Sequence, residues 1–200
     1  MRERGLVGKK RIRSKASSTS PGIMPAAPNT LNRQFSVDEP NKAWVSDITQ
    51  FPTAEGWLYL AVVIELYSRM VIGWAMSKSI DSDLVIAALE MALRRRPSAN
   101  LVIHSDRGRQ YTSRPYYSFV EERGLKASMS RKGDCWDNAV AESFFSTMKV
   151  ELATAKVWRT RDEGRTAIFE YIEGWYNTRR RHSALGYLSP KAFESARRVI

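Results

Sequence analysis

Three acidic residues occupy positions where a carboxylate needs a reason. Asp47 interrupts the apolar run "AWVSDITQF", where burying an unpartnered carboxylate is costly, so it calls for water, a partner or a metal. Asp106 follows "LVIHS" directly, at the carboxyl end of a short strand, where ligands gather in open α/β sheets; the plainer alternative is a turn residue beside Gly108. Glu142 lies in "CWDNAVAESFFSTMK" with Lys149 seven residues later, and for both the plain alternative is a solvated surface charge. Between Asp106 and Glu142 lie 35 residues, room for one helix, one strand and a loop before a second helix brings the chain back to the same end of a sheet. If the strand of Asp47 lies beside that of Asp106, all three carboxylates converge. Clustered negative charges raise one another's pKa unless a cation sits between them. Mg²⁺ prefers such hard oxygen ligands, and three carboxylates can serve a pair of ions about 3.5 to 4 Å apart, an arrangement suited to in-line attack on a phosphodiester.

The elements that must position these residues are legible in outline. "AWVSDITQF", "WLYLAVVIEL" and "RMVIGWAMS" read as a three-stranded meander with turns at "PTAEG" and "YSR". "DSDLVIAALEMALRRRP" reads as a helix capped by Asp81 or Asp83 and stopped by Pro97. "LVIHS" (101–105) is a strand, "SRPYYSFVEERG" a helix closed by Gly124, and "LKASMS" a last strand before the loop "RKGDC". Asp137 is the expected N-cap of the next helix, with Val140, Phe144, Met148 and Leu152 as its packing stripe and Asn138, Glu142, Ser146 and Lys149 on another side. Asp134 is read as a loop residue. Thr160 and Glu163 form a capping box for a helix whose Ile168, Ile172 and Trp175 share a face, and Ser189–Pro190 opens a brief terminal helix. The order predicts an α/β domain with a mixed sheet and helices on both faces. We expect a basic arm or linker at 1–40, a catalytic core at 41–155 and a helical extension at 156–200.

Composition narrows the partner. The formal net charge is +11, and residues 1–34 hold eight Lys or Arg against Glu3 alone. Such a tail fits a polyanion, nucleic acid first, although a solvated linker has the same composition. The tail shows no amphipathic apolar face for a membrane surface, no long apolar run exists, and "MRERGLVGKKRIR" lacks a signal-peptide core, so a soluble intracellular protein is expected. The single Cys135 permits no internal disulfide, and His104 and His182 match no metal-ligand spacing. Arg179, Arg180, Arg181 and His182 could hold a DNA backbone or simply complement a helix end.

Taken together, "WVSDIT", "HSDRGRQY", "CWDNAVAESFFSTMKVEL" and the tail "WYNTRRRHSALGYLSP" resemble the OrfB-type transposases of the insertion-sequence-three group, whose catalytic core is that of retroviral integrases. The resemblance spans roughly residues 35–195, includes the 35-residue spacing, and matches Lys149 to the family's basic position. It implies a ribonuclease-H-like fold with a five-stranded sheet and DNA strand cleavage and transfer, with Asp47, Asp106 and Glu142 as catalytic metal ligands. It further implies two Mg²⁺ ions with Mn²⁺ able to substitute, no covalent enzyme intermediate, and Lys149 on DNA. DNA ends and target, further copies of the chain and an upstream-frame protein are the implied partners, in a bacterial cytoplasm. An N-terminal helix-turn-helix usual in the family is not seen. Gln50 stands where Tyr is commoner, and Arg109 replaces a usual small residue, adding a cation that could grip or obstruct phosphate. A nuclease of the same fold and an inactive DNA-binding relic are the alternatives.

Overall fold

The computed structural model describes residues 24–132, 135–152 and 157–197. The meander forms as read: β1 (Ala43–Thr53) pairs antiparallel with β2 (Gly56–Glu65), and β2 with β3 (Val71–Ser77). Helix α1 (Ser82–Arg95) then carries the chain back to β4 (Val102–Ser105), which pairs parallel to β1, and α2 (Arg114–Glu122) leads to β5 (Lys126–Met129), parallel to β4. The result is a mixed five-stranded sheet in the order β3-β2-β1-β4-β5.

Local chemistry explains the boundaries. Asp81 caps α1 by accepting from the Leu84 N–H, Ser113 caps α2 through Tyr116 N–H, and Gly124 ends α2 at a φ of 64° that few side chains tolerate. At Gly73 α1 crosses β3 so closely that a Cβ would sit 2.2 Å from the Ala88 carbonyl oxygen. Apolar residues cover both faces of the sheet. Leu84, Val85, Ala88, Leu89, Tyr116 and Val120 pack on one face with Trp44 and Ile103. On the other, Val45, Phe51 and Leu60 meet α3 (Ala139–Glu151), α4 (Arg161–Phe169) and a π-helical turn (Glu170–Tyr176).

Two expectations change here. The π turn advances by i→i+5, as in the Asn177 N–H to Ile172 carbonyl bond of 3.0 Å, so the helical phase slips by a residue. Trp175, expected on the buried face beside Ile168 and Ile172, is 44% exposed, and Tyr176 takes the inward position at 4%. Asp137 is not an N-cap. It lies in a 3₁₀ turn (Cys135–Asn138), and α3 starts after Asn138 without any side-chain cap hydrogen bond. The Thr160 and Ser189 caps stand as read, the latter opening α5 (Pro190–Arg197).

Residues 24–40 do not trail away from the core. Met24 N–H donates to Thr112 O, Thr30 and Leu31 N–H donate to Ser128 Oγ at 3.0 and 3.1 Å, and Leu31 is buried among core residues. The first 23 residues, and Asp134, expected in a loop, lie outside the described residues.

Candidate active site

The parallel pairing of β1 with β4 does the first part of the assembly. Ala43, Trp44 and Val45 stand opposite Val102, Ile103 and His104, and the same offset brings Asp47 level with Asp106 just beyond the paired segment. Side chains alternate along a strand, so Asp47 and Asp106 share a face with Ala43, Val45 and Val102. That face is the one α3 covers, with Ala141, Phe144, Phe145 and Met148 buried against it and Glu142 and Lys149 on the exposed flank. Asp106 Oδ1 accepts from Gly108 N–H at 2.8 Å, and a Cβ on Gly108 would stand 2.2 Å from Gln110 Nε2 and 2.9 Å from that oxygen, so a larger residue would have to displace both side chains. Asp47 Oδ1 accepts from Ile48 N–H, also at 2.8 Å.

Electrostatics tie the three acids together. Burial first, then the charges of Asp106 and Glu142, push Asp47 up from 3.8 to about 7, against the pull of the Ile48 N–H and the more distant Lys149 ammonium. Burial raises Asp106 and Glu142 as well. Among the described residues no three His, Cys, Asp or Glu side chains stand close enough to form a ready cation cage. The donor set nonetheless fits a hard divalent ion: three oxygen acids whose pKa values are all raised, Asp47 in part by the other two, and Asn138 Oδ1, a buried acceptor without a hydrogen-bond partner. Asn138 reaches β1 through its Nδ2, which donates to Ser46 O at 3.4 Å, one residue from Asp47.

Several supporting residues were given no part in the site by the sequence reading. Ser46 Oγ donates to Val62 O, so the buried Tyr111 hydroxyl, 2.9 Å away, donates to Ser46; this pins the loop that follows Asp106 against β1. His104 is fully buried, and burial lowers its pKa to about 4, so it is neutral. Ser128 Oγ already accepts two backbone N–H groups, so its proton goes to His104 Nδ1 at 2.9 Å, and the His104 Nε2–H then faces Ser130 Oγ at 3.2 Å. Asp137, with a fully buried side chain, collects Asn29, Arg33 and Arg131. The spacing of these residues in the chain, about a hundred positions for Asn29 and Asp137, gives no local signal.

The basic candidates divide. Lys149 shares the Glu142 flank of α3, within electrostatic reach of Asp47, its Nζ 5.9 Å from the Phe51 ring centre. Arg109 is exposed in the loop after Asp106. Arg179, Arg180, Arg181 and His182 instead follow the π turn, and the last three border a cavity of about 580 Å³ against the Ala139, Ser143 and Thr147 strip of α3. Arg180 is paired with Glu151 at 2.9 Å. Burial, with Arg180 and Arg69 nearby, holds His182 down at about 4, so it is uncharged at neutral pH and can bring no positive charge to a phosphate.

Comparison with known proteins places this arrangement. An integrase core domain model matches residues 37–135, and a second integrase core domain model matches residues 123–190. The transposase InsF for insertion sequence IS3A of Escherichia coli is 44% identical over 196 residues, covering 98% of this chain and 68% of that protein. The chain belongs to the IS3-type transposases. An insertion element IS600 protein of Shigella sonnei is 46% identical over 186 residues, covering 92% of this transposase chain and 68% of its own length. The catalytic core of HTLV-2 integrase, solved in complex with magnesium, superposes with a TM-score of 0.57 at 18% identity, covering 77% of this chain and 96% of that one. The transposase core thus has the ribonuclease-H-like fold of retroviral integrases and is a polynucleotidyl transferase of the DDE class. No helix among the described residues is long and apolar enough to cross a membrane.

Proposed function

We propose that Asp47, Asp106 and Glu142 are the catalytic carboxylates of this transposase core and hold a pair of Mg²⁺ ions, replaceable by Mn²⁺, during cleavage and joining of DNA strands. The observation that carries this reading is the β1–β4 register, which sets Asp47 level with Asp106 on the sheet face that α3 covers, with Glu142 on that helix; the raised pKa of Asp47, from burial and its two companions, agrees with it. When bound, the cations polarise the scissile phosphate and make water, and later a DNA 3′-hydroxyl, a competent nucleophile. Asp47, within β1, and Asp106, just past the end of the adjacent β4, set the fixed side of the site. Glu142, one turn into α3, closes it from the exposed flank. Lys149 lies two helical turns further, about 10 Å at 1.5 Å per residue, a reach suited to the neighbouring phosphate. Arg109 binds backbone at the Asp106 side, and Arg179 and Arg181 extend the track beyond the cavity. No side chain becomes covalently attached to DNA.

Joining two element ends to one target calls for more than one copy of the chain, and an upstream-frame protein supplies recognition of the ends. The decisive test is strand joining with pre-cut element ends in Mg²⁺. Asp47→Asn, Asp106→Asn and Glu142→Gln are each expected to abolish both hydrolysis and joining while leaving DNA retention intact. Wild-type joining by any one of them removes that residue from the site. Products of hydrolysis without joining in the wild-type chain would point to a nuclease instead.

A further inference from the structure

We propose that the segment Asn29–Arg33, outside the residues that the integrase core models match, is a positioning element of the catalytic centre, with the buried carboxylate of Asp137 as its central acceptor. The inference rests on the metal role of the carboxylates given above. Asp137 Oδ2 accepts from Asn29 Nδ2 at 2.8 Å, from Arg131 N–H at 2.8 Å and from Arg131 Nε at 3.1 Å. Its Oδ1 accepts from Arg33 Nε at 2.9 Å and from an Arg131 Nη at 3.0 Å. The Asp137 side chain is 0% exposed, while Arg33 and Arg131 are 45% and 51% exposed. The hydrogen bonds of Arg131, outweighing burial and joined by those of Arg33, hold Asp137 well below the usual carboxylate range.

The segment also reaches residues beside the triad's supports. Thr30 and Leu31 N–H groups converge on Ser128 Oγ, whose proton goes to His104, two residues before Asp106 on β4. Leu31 packs in the core cluster that contains Val45 of β1 and Ala141 of α3. Asp137 precedes Asn138, which reaches Ser46 O beside Asp47, and leads into α3 and Glu142. Helix α3 lacks a side-chain cap, so the place of its first turn is fixed from outside the helix, and Asp137 is what fixes it. A buried carboxylate bound by several donors tolerates little displacement, since moving it off any one of them strands a desolvated charge. Glu142 is exposed and, among the described residues, has no comparable anchor of its own. Residues 29–33 therefore act on the metal site through Asp137, as an outer layer that orients a ligand rather than as ligands themselves.

The test uses the full chain with Asn29→Ala, Arg33→Ala and Asp137→Asn, and Arg123→Ala as a surface control. Amide hydrogen exchange across residues 135–151 is measured without metal, Mn²⁺ affinity by calorimetry, and kcat and KM on pre-cut ends. Asn29→Ala is expected to speed exchange in the first turn of α3, to weaken Mn²⁺ binding by about tenfold and to lower kcat with KM for DNA unchanged. Arg33→Ala and Asp137→Asn should do the same more strongly, and Arg123→Ala should do none of it. Unchanged exchange at 135–142 in Asn29→Ala and Arg33→Ala overturns the inference, as does a loss of Mn²⁺ binding that follows global unfolding and vanishes on cooling. Asp106→Asn run alongside separates the two readings: if it binds Mn²⁺ like wild type, the metal assignment fails, while the metal-free exchange result still decides whether the segment positions α3.

Discussion

Asp47 carries the most consequential single property of this chain. Its pKa in the folded state, about 7, lies above the ordinary 3.8 of an unfolded chain. Between those limits the folded molecule keeps a proton that the unfolded one has released. Stability from this group is therefore lost as pH rises from about 4 to about 7, and it stays at its lower level above. In metal-free buffer, Asp47→Asn should gain on wild type in thermal midpoint across that window, by several degrees at pH 7.5; parallel midpoints at pH 4.5 and 7.5 would refute the raised pKa. Loading a divalent ion must expel the same proton, so Mg²⁺ affinity should fall about tenfold per unit as pH drops below 7, a slope calorimetry reads directly. Asp47, Asp106 and Glu142 stood out in the sequence as candidates because an acid inside an apolar strand, an acid at a strand end and the spacing to a third are local signals. Asp137 was misread as a cap because the residue type and its place before a helix suit a cap, and of the partners that claim it Arg131 is near in sequence but Asn29 and Arg33 come from the far end of the chain.

At the scale of elements, the strands and caps followed from residue pattern, whereas the π turn did not. Its extra residue per turn is imposed by packing: Tyr176 enters the core against Phe144 at a ring distance of 4.7 Å, and Trp175 turns out to donate to Glu151. Glu151 is the joint between α3 and this extension. It accepts from the Tyr171 hydroxyl at 2.9 Å, from Trp175 Nε1 at 3.2 Å and from Arg180 Nε at 2.9 Å. Burial would push Glu151 up, but these three donors more than offset it and lower its pKa. Replacing it strands several donors at once, so Glu151→Ala should cost about 1 to 3 kcal/mol in urea unfolding. Its contribution should also fade as acid protonates Glu151, so the gap between the variant and wild type narrows below pH 4 or so; a constant gap would mean that the charge is irrelevant. No 3.6-residue pattern could have revealed this joint, because it depends on the slipped phase.

For the molecule as a whole, the charge of +11 predicts DNA binding dominated by counterion release. The apparent affinity should fall linearly with the logarithm of salt, and Arg179→Ala with Arg181→Ala should flatten that slope by about 2 if both meet phosphate. An unchanged slope would assign these arginines to the helix end alone. Arg180→Ala should act mainly on stability, through Glu151, and His182 should contribute nothing to the slope, being uncharged. The sequence reading put all four on an equal footing because a run of like residues looks alike until its neighbours are known. It also grouped residues 24–40 with the basic arm, since Pro, Asn and Ser without periodicity read as linker. What binds them, backbone N–H groups on Ser128 and a buried leucine, leaves no periodic trace.

The β1–β2 ladder runs through ten consecutive pairs, with Asp47 opposite Val62. Because successive side chains point to opposite faces, the tolerance of this stretch to insertions should be sharply uneven. One extra residue between Ala43 and Asp47 would turn the acid toward α1 and bury it among apolar side chains, while an extra residue in the Ala54–Glu55 turn leaves its direction untouched. A scan of single-residue insertions, scored by transposition in cells, should therefore show a null block over 43–47 and survivors at 54–55. Chain length before the acid, as much as the acid itself, is under constraint.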